Sequence, residues 1–166
     1  KKATVAALLD VVGPVYLRFA RESTPVVTKE DTPFEWGVAN VMRYRKAADN
    51  FADAFETKLS SAYVSENEDI VLVANGPVLA ECLRAAWILK DEYGIEARVV
   101  NVHTVKPLDV AAIVAAVDEV GVLLTVEDHQ VGGLGNIVAG AAMKRTDSTR
   151  PLKMEMMGVP DVFGEK

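Results

Sequence analysis

From residue 70 onward the apolar positions of this chain alternate between short, continuous, β-branched runs and longer stretches of helical spacing. Ile70-Val71-Leu72-Val73-Ala74 is a run of the first kind and suits a central strand buried on both faces. Asn75-Gly76-Pro77 breaks it and sets proline at a helix start. Val78 to Tyr93 is helical in period and stops at Gly94, a natural carboxyl cap. Ala97 to Val102 reads as a second strand, Asp109 as the cap of a helix carrying Val110, Ile113, Val114 and Val117, and Val122 to Val126 as a third strand. The Gly132-Gly133-Leu134-Gly135 turn leads through a helix, Ile137 to Lys144, to a last strand near Leu152 to Met157. Strand, helix, strand repeated in this way predicts a parallel sheet with right-handed crossovers and helices on both faces, a three-layer α/β domain.

The first 69 residues are less regular. Val5, Leu8, Leu9 and Val12 have helical spacing within Ala3 to Val12, and Gly13-Pro14 stops that helix before a β-rich stretch, Val15 to Ala20. This stretch has no nearby partner in sequence and reads as the last strand of a domain that lies upstream. Arg21 to Trp36, with Pro25, Pro33 and several charges, has the composition of a connector. Val38 to Tyr44 predicts a short strand. Phe51, Phe55, Leu59 and Tyr63 recur every four positions, which predicts an amphipathic helix over Ala48 to Tyr63, closed by the polar Ser65 to Asp69 loop.

Composition narrows the function classes. With 18 basic and 24 acidic residues the net charge is −6, which disfavours nucleic acid or an anionic membrane as partner. No apolar run approaches the ~18 residues that span a bilayer. Lys1 to Asp10 resembles a signal peptide in outline, but its apolar stretch is short, Asp10 interrupts it and no small-residue cleavage site follows, so the expected compartment is the cytoplasm. The single cysteine, Cys82, sits among Leu79, Leu83 and Ala86 at helical spacing and reads as a small buried apolar side chain, not a nucleophile.

Ligand-contacting groups of an open α/β sheet collect in the loops beyond the carboxyl ends of its strands. Three such loops carry Asn75 and Gly76, then His103-Thr104-Val105-Lys106-Pro107, then Glu127-Asp128-His129-Gln130-Val131-Gly132-Gly133. Both histidines therefore fall on one predicted edge. His103 and His129 with Glu127 or Asp128 could ligate a metal, but the spacing matches no metal motif, and loop hydrogen bonding or an interdomain contact is the favoured reading. The glycine turn could offer amides to a phosphate, yet it is neither a dinucleotide fingerprint nor a P-loop, which favours tight-turn geometry and close packing. Arg18 and Arg21, three apart at the start of the connector, could clamp a phosphate or carboxylate in a cleft between domains, or stand solvated or salt-bridged.

Several ordered motifs then resemble one family. Gly13-Pro14-Val15-Tyr16-Leu17-Arg18-Phe19-Ala20-Arg21-Glu22 resembles the end of the pyrimidine-binding domain of transketolases and 1-deoxyxylulose-5-phosphate synthases, and Phe34-Glu35-Trp36-Gly37 resembles the start of their last domain. Asp69 to Gly76, Val102 to Asp109, Val126 to Gly135 and Gly158 to Gly164 follow in family order, with residues 46–68 as an apparent insertion. His103-Thr104 before Lys106-Pro107-Leu108-Asp109, and Glu127-Asp128-His129 before the glycines, resemble transketolase most, especially the separate carboxyl-terminal subunit of split transketolases.

The resemblance implies a mixed five-stranded sheet whose first strand runs antiparallel to the rest. It divides the chain into the tail of an upstream pyrimidine-binding domain (1–24), a linker (25–37) and a transketolase carboxyl-terminal domain (38–166). It implies two-carbon ketol transfer between sugar phosphates, with thiamine diphosphate and Mg²⁺ held by upstream domains, in the same chain or a separate subunit, of a homodimeric enzyme. No catalytic or cofactor-binding residue is expected in this segment, which alone should be inactive. Arg21 matches the arginine that holds the substrate phosphate in transketolases, and His103 and His129 are expected on an interdomain or active-site rim. The alternatives are the corresponding part of a 1-deoxyxylulose-5-phosphate synthase or of an oxo-acid dehydrogenase E1 beta subunit, an independent anion-binding α/β module, and a small metal-dependent hydrolase.

Overall fold

The computed structural model describes residues 5, 8–9, 11–21, 23–147, 149 and 151–163. The amino-terminal helix expected over Ala3 to Val12 falls largely outside them. Among the described residues one six-stranded sheet is built from β1 (Asn40–Tyr44), β2 (Phe55–Leu59), β3 (Ile70–Ala74), β4 (Ala97–Asn101), β5 (Val122–Gln130) and β6 (Lys153–Val159). Its helices are the single turn α1 (Phe51–Ala54), α2 (Leu79–Tyr93), α3 (Val110–Glu119) and α4 (Leu134–Ala142).

The strands lie in the order β2-β1-β4-β3-β5-β6. β3, β4, β5 and β6 run parallel, and β1 is antiparallel to β4, as the resemblance implied. From β3 the chain steps to β4 on one side, then returns past β3 to β5 on the other. Crossovers of one hand must put the helices of these opposed steps on opposite faces. Accordingly α2 packs through Leu79, Cys82, Leu83 and Ala86 on Leu72, Ala74 and Val99, while α3 and α4 pack through Ile113, Val117, Val138 and Ala142 on Val71, Val73 and Val100. The alternation of Val71 and Val73 against Leu72 and Ala74 is the period of two that makes a central strand apolar throughout. Gly94 closes α2 in the left-handed conformation at φ 68°. Asp109 caps α3 by accepting from the Ala112 amide at 2.9 Å.

Two expectations are corrected. The amphipathic helix over Ala48 to Tyr63 does not form: after one capped turn the chain becomes β2, paired antiparallel with β1 from Asn40↔Leu59 to Tyr44↔Phe55, and the sheet gains a sixth strand. A spacing of four is even, so Phe51, Phe55 and Leu59 satisfy the period of a strand as well as that of a helix. The unpaired edge of β1 decides between them, because its amides and carbonyls need a ladder. The strand expected over Val15 to Ala20 is also absent, and this stretch is irregular with Tyr16 exposed. Among the described residues no neighbouring strand pairs with it.

Candidate functional site at the carboxyl edge of the sheet

β4, β3 and β5 are adjacent and parallel, so their carboxyl ends share one edge, and the chain reverses its winding between β3 and β5. Loops leaving such a pair diverge and open a crevice. The Gly76 and Asp128 loops face each other there: a Cβ on Gly76 would lie 3.9 Å from the Asp128 carboxylate. Residues 18–21, 23 and 24 lie against the loop after β3. With Gly76 and Pro77 they enclose an open cleft of about 480 Å³, lined by Arg18, Arg21, Ser23 and Thr24. Both arginines are exposed. Two guanidinium groups and two hydroxyls make a donor-rich wall suited to a phosphate or carboxylate. Ser23 and Thr24 were not singled out by the sequence reading, although hydroxyls closely following an arginine were a signal available to it.

His103 and His129 occupy the expected edge but do not act together. β3 separates their strands, and two inter-strand steps amount to roughly 10 Å. His103 is turned inward, with its ring 4.7 Å from that of Phe34 in the connector and its Nδ1 2.9 Å from the Thr104 hydroxyl. Burial pushes the imidazole below the usual histidine range, against the opposing influence of the Val38 backbone and Asp109. Its Nε2 is buried without a hydrogen-bond partner of ordinary geometry. His129 is exposed, and its Nδ1 accepts from the Gln130 amide at 2.6 Å. Among the described residues no three His, Cys, Asp or Glu side chains are grouped to hold a metal ion.

The glycine turn is already occupied. The buried Glu127 carboxylate accepts from the amides of Leu134 at 2.8 Å and Gly135 at 3.2 Å, the first residues of α4. A side-chain anion thus takes the place that a phosphate would need at this helix start. Gly133 leaves room for this carboxylate, since a Cβ there would meet Glu127 Oε2 at 2.3 Å and the side chain would have to shift. Tight packing, the favoured reading of this turn, is what the geometry shows.

The opposite edge of the sheet holds a buried ion cluster. Glu68, just before β3, accepts from Arg98 at 2.8 Å, from Ser65 at 2.8 Å and from Tyr63, and lies 3.6 Å from Arg43. Arg98 also pairs with Glu119 at 2.6 Å, and Arg43 with Glu96 at 2.8 Å. Placed at the amino ends of the parallel strands, it holds elements together.

Residues 60–166 match the model of the transketolase carboxyl-terminal domain. The chain belongs to the transketolase family. A 6-deoxy-6-sulfo-D-fructose transketolase subunit from a Clostridium species is 32% identical over 99% of this chain and 43% of its own length. The 1-deoxy-D-xylulose-5-phosphate synthase of Trichormus variabilis is 28% identical over 99% of the chain and 22% of its own. A split-gene transketolase solved as an inactive beta4 tetramer superposes with a TM-score of 0.74 at 33% identity, covering 99% of this chain and 46% of that one. This transketolase-family segment therefore spans less than half the length of these relatives. No helix among its described residues is long and apolar enough to cross a membrane.

Proposed function

We propose that the chain is the carboxyl-terminal part of a thiamine-diphosphate-dependent transketolase that moves a two-carbon ketol unit between sugar phosphates. In this reading it is a cytoplasmic protein that supports assembly and shapes the substrate entrance. The observation that carries the proposal is the cleft that Arg18, Arg21, Ser23 and Thr24 form with Gly76 and Pro77 at the carboxyl end of β3. Residues 1–24 are then the tail of the upstream pyrimidine-binding domain, 25–37 the linker and 38–166 the last domain. Thiamine diphosphate and Mg²⁺ belong to the upstream domains of a homodimeric enzyme. Among the described residues no group of three His, Cys, Asp or Glu side chains is placed to hold the ion. The role of this chain is binding: Arg21, with Arg18 beside it, holds the phosphate of the sugar, while the inward-facing His103 and exposed His129 form the rim against the partner domain.

The test is reconstitution with the upstream subunit or domains. Arg21→Ala should raise KM for a phosphorylated sugar by about tenfold or more, leaving turnover of an unphosphorylated ketose donor nearly unchanged. An equal loss on both substrates would show that Arg21 does not read the phosphate. The chain alone, given thiamine diphosphate and Mg²⁺, should show no ketol transfer, and turnover by it would overturn the division of labour.

A further inference from the structure

On the edge opposite the candidate site a second cleft, of about 310 Å³, is walled by Tyr44, Phe51, Phe55 and Trp87, with Asp49 and Arg84 at its rim. We propose that it is a binding site for a small organic cation of the quaternary-ammonium or alkylamine class. Three observations carry this inference, and none depends on the ketol-transfer reading.

The rings form walls and not a flat stack. Tyr44 and Phe55 are 5.5 Å apart and tilted by 57°, Phe51 and Phe55 are 6.2 Å apart at 61°, and Tyr44 and Trp87 are 6.4 Å apart at 32°. Several π faces set at angles around one space stabilise a cation by their quadrupoles, the more so where water is displaced. The two outer rings are held in place: Asp91 accepts from the Trp87 indole N–H and, at 3.3 Å, from the Tyr44 hydroxyl. A cage held open in the free protein costs little ordering when a ligand enters.

The charge of the rim has the complementary sign. Arg84 is paired with Glu81 at 3.1 Å, whereas Asp49 is exposed and takes part in no ion pair among the described residues. Of the two charged residues lining the cleft, Asp49 is the one without an ion-pair partner among the described residues. A cationic head would meet rings on several sides and Asp49 in front.

The cleft is also assembled from separate segments. Pro25 and Val26 of the connector close one side, and Lys29 ties that connector to Asp53 of α1 at 2.7 Å. Tyr44, Asp49, Phe51 and Phe55 all precede residue 60, where the match to the family domain begins, while Arg84 and Trp87 lie within it. Most of the cage therefore belongs to the part of this chain outside the matched domain, where the sequence analysis placed an apparent insertion.

Choline and its neutral isostere 3,3-dimethylbutan-1-ol are suitable probes on the 166-residue chain, with binding measured by titration calorimetry for every variant and the Trp87 indole resonance followed by NMR wherever Trp87 is present. Choline should shift that resonance saturably and bind about tenfold or more tightly than the isostere. Asp49→Asn and Trp87→Leu, both at exposed positions, should weaken choline binding severalfold, with unchanged circular dichroism and thermal midpoint showing that the fold is intact. Equal binding of the neutral alcohol, a shift that never saturates, or undiminished binding by the Trp87→Leu protein would overturn the proposal. Because the readout is binding to this chain alone, failure here leaves the ketol-transfer reading untouched.

Discussion

At Glu68 a buried carboxylate is surrounded by Arg98, Tyr63, Ser65 and, a little further off, Arg43. Burial by itself would raise its pKa, but the hydrogen bonds from Arg98, Tyr63 and Ser65 more than offset this and hold it at about 2. A carboxylate depressed in the folded state adds stability that is complete above its unfolded pKa, near 4.3, and is lost as pH falls toward 2. The shift corresponds to ~3 kcal/mol, so the urea midpoint should fall steeply between about pH 4.5 and 2.5. In Glu68→Gln, already destabilised at pH 7, that part of the acid dependence should be missing. Gly133 is a second sensitive position. Gly133→Ala must move the Glu127 carboxylate off the α4 amides, and should cost ~1–3 kcal/mol in urea unfolding. Cys82 is the inert counterpart: burial first, and Glu81 second, push its thiol up to about 12, so it should stay unmodified by iodoacetamide until the chain unfolds.

Between elements, Asp109 is the main fastener. Its carboxylate caps α3 through the Ala112 amide, accepts from the Ala39 amide at 2.8 Å just before β1, and accepts from the Ser60 hydroxyl just after β2. One side chain therefore ties the β1–β2 hairpin to a helix that follows it by 50 residues or more in sequence. Loss of a capping carboxylate alone costs ~1 kcal/mol, and two further orphaned donors add to it. Asp109→Ala should thus lower stability by ~2–3 kcal/mol, and amide hydrogen exchange should rise first in β1 and β2. Equal loosening across the whole sheet would show that the hairpin is held by other means.

For the whole molecule, the segment before the connector carries exposed apolar side chains among its described residues. Tyr16 is 87% exposed and Val12 fully so. Side chains of this kind are normal singly, but a run of them on an irregular stretch fits a surface completed by another domain. If the proposed upstream subunit docks on this stretch, Tyr16→Asp should weaken that association by about tenfold or more while leaving the thermal midpoint of the chain itself unchanged. Titration calorimetry with and without the substitution measures it.

How far the sequence reached depends on the range of the forces involved. The parallel units from residue 70 onward, the Gly94 and Asp109 caps and the shared edge of the His103 and His129 loops were legible, because period, capping and crossover handedness are set within about 30 residues, whereas the antiparallel direction of the first strand was implied by the family resemblance alone. The fate of Phe51 to Leu59 was not legible, since an even spacing satisfies helix and strand alike and only the unpaired edge of β1 settles it. Nor could local pattern show that Glu127 fills the turn ahead of α4, that His103 faces Phe34 while His129 faces solvent, or that Glu68 gathers two arginines. Each of these depends on which groups lose their water together, and burial is a property of the assembled chain.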